Sequence, residues 1–78
     1  MNLKEIIPLY PNIRSLREDR DLTQRDLSVY LHCSQQVYSN YELGQRDIPT
    51  DILIKLADFY DVSIDYLLGA TANPKRNK

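Results

Sequence analysis

Apolar residues recur at intervals of three and four along most of the chain, and no useful run of strict alternation occurs. That is the period of amphipathic helices rather than strands. Five times a residue of the type that caps a helix N-terminus stands just before such a stretch: Asn12, Thr23, Ser34, Thr50 and Ser63. Three of them sit in a hydrophobic staple, in which the residue before the cap meets the one four positions after the cap. The staple pairs are Leu22 with Leu27, Cys33 with Tyr38, and Val62 with Leu67. Thr23 and Asp26 add a capping-box pattern. The spacing predicts helices over 12–20, 23–31, 34–42, 50–60 and 63–68, hence an all-α, compact five-helix bundle.

The connections between these helices are short. Only His32 and Cys33 separate the second from the third, a turn that calls for a left-handed residue, and His32 is the candidate. Gly44 suits the end of the third helix, Gln45–Pro49 forms a loop, and Gly69 ends the fifth helix. Residues 1–11, MNLKEIIPLYP, read as a lead segment, because Pro8 and Pro11 disfavour a continuous helix. Residues 12–69 form the domain, and residues 70–78, ATANPKRNK, read as a flexible basic tail. The fourth helix is apolar on more than one side. Leu53, Leu56, Ala57 and Tyr60 make its inner stripe; Ile52, Ile54 and Phe59 are left over. Either the IIPLY segment covers them or they form a dimer patch near Tyr66.

The third helix, SQQVYSNYELG, is unusual in its polar face. At roughly 100° per residue, Gln35, Gln36, Ser39, Asn40 and Leu43 fall within an arc of about 140°. Val37, Tyr38, Tyr41 and Glu42 take the other side, which suits a core. The first face therefore holds amides and a hydroxyl but no charge. Amides carry donor and acceptor together, the combination that pairs bidentately with adenine N6 and N7 in the DNA major groove. At a helix start, backbone N–H groups and the positive dipole end also approach phosphates. The plainer alternative is a solvated outer face, which amphipathic helices commonly have.

Charge narrows the options. The chain of 78 residues carries 10 Lys/Arg and 11 Asp/Glu, a net of −1, which argues against a generic polyanion binder. Up to residue 69 there are seven Lys/Arg against eleven Asp/Glu, a net of −4; the tail adds Lys75, Arg76 and Lys78. Any nucleic-acid face must therefore be local, with Asp51, Asp58, Asp61 and Asp65 kept on the far half. One cysteine permits no internal disulfide, and no run is long enough to span a membrane, so the expected compartment is cytoplasmic. One His and one Cys supply neither a zinc ligand set nor a catalytic group; no metal, cofactor or catalytic residue is expected. Cys33 reads as a small buried staple residue or a redox-sensing thiol. Tyr38, Tyr41 and Tyr60 fall at core spacing, whereas Tyr10, Tyr30 and Tyr66 are undetermined.

Three stretches in order, IRSLREDRDLTQRDLSVYL, SQQVYSNYELGQRDIP and ILIKLADFYDVSIDYLLG, resemble the phage-repressor-type (Xre or Cro-like) helix-turn-helix family. The resemblance covers about three quarters of the chain, from Ile13 to Gly69. It implies a lambda-repressor-like DNA-binding domain whose second helix lies across the DNA backbone and whose third enters the major groove. It implies that Gln35, Gln36, Ser39 and Asn40 read bases, and that Gln24 and Arg46 meet phosphates, with Arg25 as an added phosphate contact. Arg17 and Glu42 match a pair bridging the first and third helices; Glu42 projects toward the core side, where a lone charge would be costly. The implied function is a sequence-specific transcriptional regulator, a repressor binding double-stranded DNA as a homodimer on an inverted repeat. The alternative is a protein-interaction module, such as an antitoxin or a phage factor holding a protein partner. Four positions depart from the family pattern: His32 for glycine, Cys33 for an aliphatic residue, Ser28 for alanine and Tyr38 for an aliphatic residue.

Overall fold

Among the described residues, a left-handed residue follows the end of every helix. The computed structural model describes residues 10–76, which form α1 (Pro11–Asp19), α2 (Gln24–Leu31), α3 (Gln35–Leu43), α4 (Thr50–Tyr60) and α5 (Ile64–Leu67). The closing residues are Asp21 (φ 55°), His32 (58°), Gly44 (72°), Asp61 (55°) and Gly69 (79°). Each brings two backbone N–H groups back to carbonyls of the last turn. After α2, for instance, His32 N donates to the Val29 carbonyl at 3.2 Å and Cys33 N to that of Ser28 at 3.0 Å. These crossed bonds satisfy carbonyls that a helix end otherwise leaves unpaired.

Three of the five closures share a further plan: Asp21-Leu22-Thr23, His32-Cys33-Ser34 and Asp61-Val62-Ser63. The first residue turns left-handed, the second meets the core, and the third caps the next helix. Val62 is buried, and Leu22 and Cys33 pack half-buried against the core. Thr23 Oγ1 accepts from Asp26 N at 3.1 Å while Thr23 N donates to Asp26 Oδ2 at 2.8 Å, completing the expected capping box. Ser34 Oγ accepts from Val37 N, and Ser63 Oγ from Tyr66 N. A single apolar residue thus closes one helix and staples the next, which lets the turns be so short.

Two of the five expected caps are corrected. The cap of α1 is Tyr10, with Pro11 in the first turn, where its fixed φ suits a helix and its missing N–H costs nothing. Asn12 lies inside α1, and its Nδ2 donates to the Tyr66 carbonyl at 2.7 Å, tying α1 to α5. The cap of α4 is Pro49, so Thr50 is the first helical residue.

The core gathers Ile13 and Leu16 of α1, Leu27 and Leu31 of α2, Tyr38 and Tyr41 of α3, and Ile52, Leu56, Ala57 and Tyr60 of α4, with Val62 and Leu67. Ile52 was expected among the leftovers but is buried, while Leu53 is half-buried. Ile54 and Phe59 do stay outside, as do Val29 and Tyr30. The Tyr30 and Phe59 rings lie 4.6 Å apart. Tyr10 and Tyr66 pack against the core at half burial. The lead segment before Tyr10, including any cover it gives these residues, lies outside the described residues. Residues 70–76 contain no helix yet run back along α4 and α5. Pro74 accepts from Ser63 N at 3.1 Å, and Arg76 bridges Asp58 at 2.6 Å and Asp61 at 3.6 Å.

Candidate nucleic-acid interface

The capped α2, the turn at His32-Cys33-Ser34 and α3 together form the helix-turn-helix unit. Ser28 sits buried on the inner side of α2, and its hydroxyl donates to the Arg25 carbonyl at 2.8 Å. The extra hydroxyl at this position is therefore satisfied within its own helix. His32 takes the left-handed conformation expected of it. Cys33 is half-buried, and burial pushes its thiol pKa up, the opposite of a reactive thiolate.

The division of α3 into two faces holds. Tyr38, Tyr41 and Glu42 are buried and Val37 packs partly against the core. Gln35 and Gln36 are exposed, and Ser39 and Asn40 half-exposed on the same side. The four expected base-reading residues thus share one uncharged surface. Gln36 Nε2 donates to Asn40 Oδ1 at 3.2 Å, one turn further along. Arg25, at the start of α2, and Arg46, in the loop after α3, are both exposed.

Glu42 anchors the inner side. Only 2% of it is accessible, and Arg17 grips it through two bonds, Nε to Oε2 at 2.6 Å and Nη2 to Oε1 at 3.2 Å. Arg17 also donates from Nη1 to the Leu22 carbonyl at 2.8 Å. The predicted pair is therefore present, and it fastens α3 to α1 and to the turn before α2. A third donor was not foreseen: Gln24 Nε2 reaches Glu42 Oε1 at 3.2 Å. This bond uses one N–H of the Gln24 amide and turns it inward. Burial by itself would raise the Glu42 pKa, but the donors around it, led by Arg17, hold it below the ordinary carboxylate value. The fully buried Tyr38 hydroxyl lies near this carboxylate without forming a hydrogen bond, and the Tyr60 hydroxyl is also unpartnered. Burial raises the pKa of both, that of Tyr60 to about 12.

The acidic residues Asp51, Asp58, Asp61 and Asp65 are all exposed on the α4–α5 half. Among the described residues no group of three His, Cys, Asp or Glu could hold a metal ion, and no helix is long and apolar enough to cross a membrane.

Comparison with known proteins agrees with this geometry. A family profile described as helix-turn-helix matches residues 13–67. The HTH-type transcriptional regulator ImmR of Bacillus subtilis (strain 168) is 38% identical over 66 residues, covering 85% of this chain and 52% of the relative. Two uncharacterized HTH-type transcriptional regulators of the same organism are similar: YobD, 39% identical over 62 residues (80% of this chain, 55% of the relative), and YqaE, 36% identical over 64 residues (82% and 55%). The chain spans about half the length of these relatives. By the profile match, the identities and the helix-turn-helix geometry alike, the chain belongs to the helix-turn-helix family.

Proposed function

We propose that this chain binds double-stranded DNA in a sequence-specific way as a cytoplasmic transcriptional regulator, with α3 in the major groove. One observation carries the reading: an outward face of three amides and a hydroxyl on a helix locked from behind by Arg17 and Glu42. Gln35, Gln36, Ser39 and Asn40 read base edges through paired donors and acceptors. Gln24, Arg25 and Arg46 hold phosphates and set the register. The names of the matched relatives support regulation of transcription. The resemblance to phage repressors favours repression. With so little positive charge, one domain has few phosphate contacts. Two copies on an inverted repeat, with half-sites roughly 34–36 Å apart, supply the rest.

Selection of bound duplexes from a randomised pool tests this, with a Gln35→Ala, Gln36→Ala variant beside the parent. Each glutamine should contribute about 1–3 kcal/mol of discrimination. The expected result is an enriched inverted repeat that the variant loses. A folded parent that enriches nothing would sink the reading. A second reading is a module that holds a protein partner, as an antitoxin does; the exposed, stacked pair Tyr30 and Phe59 favours it.

A further inference from the structure

The tail after Gly69 is fastened to the half of the domain that carries the exposed aspartates. We infer that residues 70–76 form a latch, which holds the basic tail on α4 and α5 and so restrains the grip of the chain on random duplex. The inference rests on the proposed DNA-binding role and adds a restraint on its non-specific part.

The latch starts at Gly69, whose left-handed backbone (φ 79°) turns the chain back after α5. Ala70 N donates to the Asp65 carbonyl at 2.8 Å, which fixes the direction of departure. The strap then shapes itself: Asn73 N donates to Thr71 Oγ1 at 3.2 Å, and Lys75 N to Asn73 Oδ1 at 3.0 Å. Short polar side chains give backbone groups such partners where no helix or sheet supplies them. Two contacts fasten the strap. Ser63 N, in the residue that caps α5, donates to the Pro74 carbonyl at 3.1 Å. Arg76 meets Asp58 at 2.6 Å and Asp61 at 3.6 Å, at the C-terminal end of α4, where the helix dipole also favours a cation. Arg76 also lines a groove together with Ile54, Ala57, Val62 and Ile64, apolar surface that suits its methylene stem.

The consequence is electrostatic. Lys75, Arg76 and Lys78 fall within four positions of the sequence. On a free tail each of these cations can settle on a phosphate and release a counterion, whatever the bases nearby. The seven residues after Gly69 span at most roughly 25 Å when extended. The longest dimension of the molecule is 40 Å, so a free tail reaches well past α4 and α5. Latched, the Arg76 guanidinium is committed to two aspartates, and Lys75 is held with it, beside acidic surface that repels a duplex. The aspartate side chains are 55% and 88% exposed, so replacing them opens the latch without touching the core.

The test compares the parent chain with Arg76→Ala, with an unlatched variant (Asp58→Ala, Asp61→Asn) and with the triple combination. Asparagine is used at 61 because it tolerates the left-handed backbone there. Thermal melting checks that each variant is folded. Amide exchange followed by NMR reads the latch directly: Ser63 N–H should exchange faster in all three variants than in the parent, while core amides of α2 and α3 keep their rates. Binding to random-sequence duplex at a series of salt concentrations reads the consequence. Arg76→Ala should leave the parent's salt slope unchanged, since a latched Arg76 meets no phosphate. In the unlatched background the same substitution should make the slope shallower by about 0.9, the share of one phosphate contact. Equal effects of Arg76→Ala in the two backgrounds, or Ser63 exchange that it does not change, would overturn the latch and leave base reading by α3, seen in duplex selection, intact. If neither the parent nor the unlatched variant bound any duplex, both readings would fall.

Discussion

Glu42 shows how much one side chain can decide. It is a carboxylate with 2% exposure, and three nitrogen donors from two other helices converge on it. Removing one partner of a buried pair leaves the other charge uncompensated, so Glu42→Ala should lower stability by about 3–5 kcal/mol in chemical denaturation. An unchanged midpoint would mean that Arg17 finds water in the folded state. The same residue sets an acid limit. Its folded pKa lies below the unfolded value, so its contribution is present above the unfolded pKa and is lost as pH falls through the folded one. The parent should therefore lose stability in that acid window, and Glu42→Gln should flatten that part of the profile. Arg46, by contrast, is exposed in the loop after α3. Arg46→Ala should weaken binding to all duplexes alike and make its salt dependence shallower, as titrations at several salt concentrations would show. A loss confined to one sequence would give it a base-reading role instead.

At the scale of the element, the repeated turn governs what was legible in advance. Thr23, Ser34 and Ser63 were readable as caps because each stands between an apolar residue and a helical pattern, and each does cap its helix. Asn12 lies inside α1 rather than capping it, because a proline in the first turn favours the helix start it occupies. The inner stripe of α4 was only half legible. A helix apolar on more than one side gives no unique direction to its moment, and docking on the bundle selects Ile52 over Leu53 for burial. The reach of Gln24 to Glu42 spans 18 positions between polar side chains and leaves no periodic trace to read. The amide face of α3 and the Arg17–Glu42 pair were visible beforehand, the first from periodicity and the second from family resemblance. His32 is the costliest of the left-handed positions, since it has neither the freedom of glycine nor the short side chain of aspartate. His32→Gly removes that strain while loosening the unfolded chain, and should leave a net gain of up to about 1 kcal/mol. Differential scanning calorimetry reads this as a rise in Tm; a fall would mean that the imidazole makes a compensating contact.

For the whole molecule, the decisive feature is the separation of charge. Up to Gly69 the chain carries four more acidic than basic charges, and four of the aspartates lie exposed on the α4–α5 half, where Arg76 offsets two of them. On the proposed reading this shapes the search for a target. A domain of this kind meets duplex DNA favourably only when α3 leads, and is pushed away in other orientations. Random duplex, offering no match to the amides, then holds it weakly, because few counterions are released on contact. The molecule spends little of its time parked on the wrong stretches of a genome. Its discrimination comes as much from brief residence elsewhere as from long residence at home.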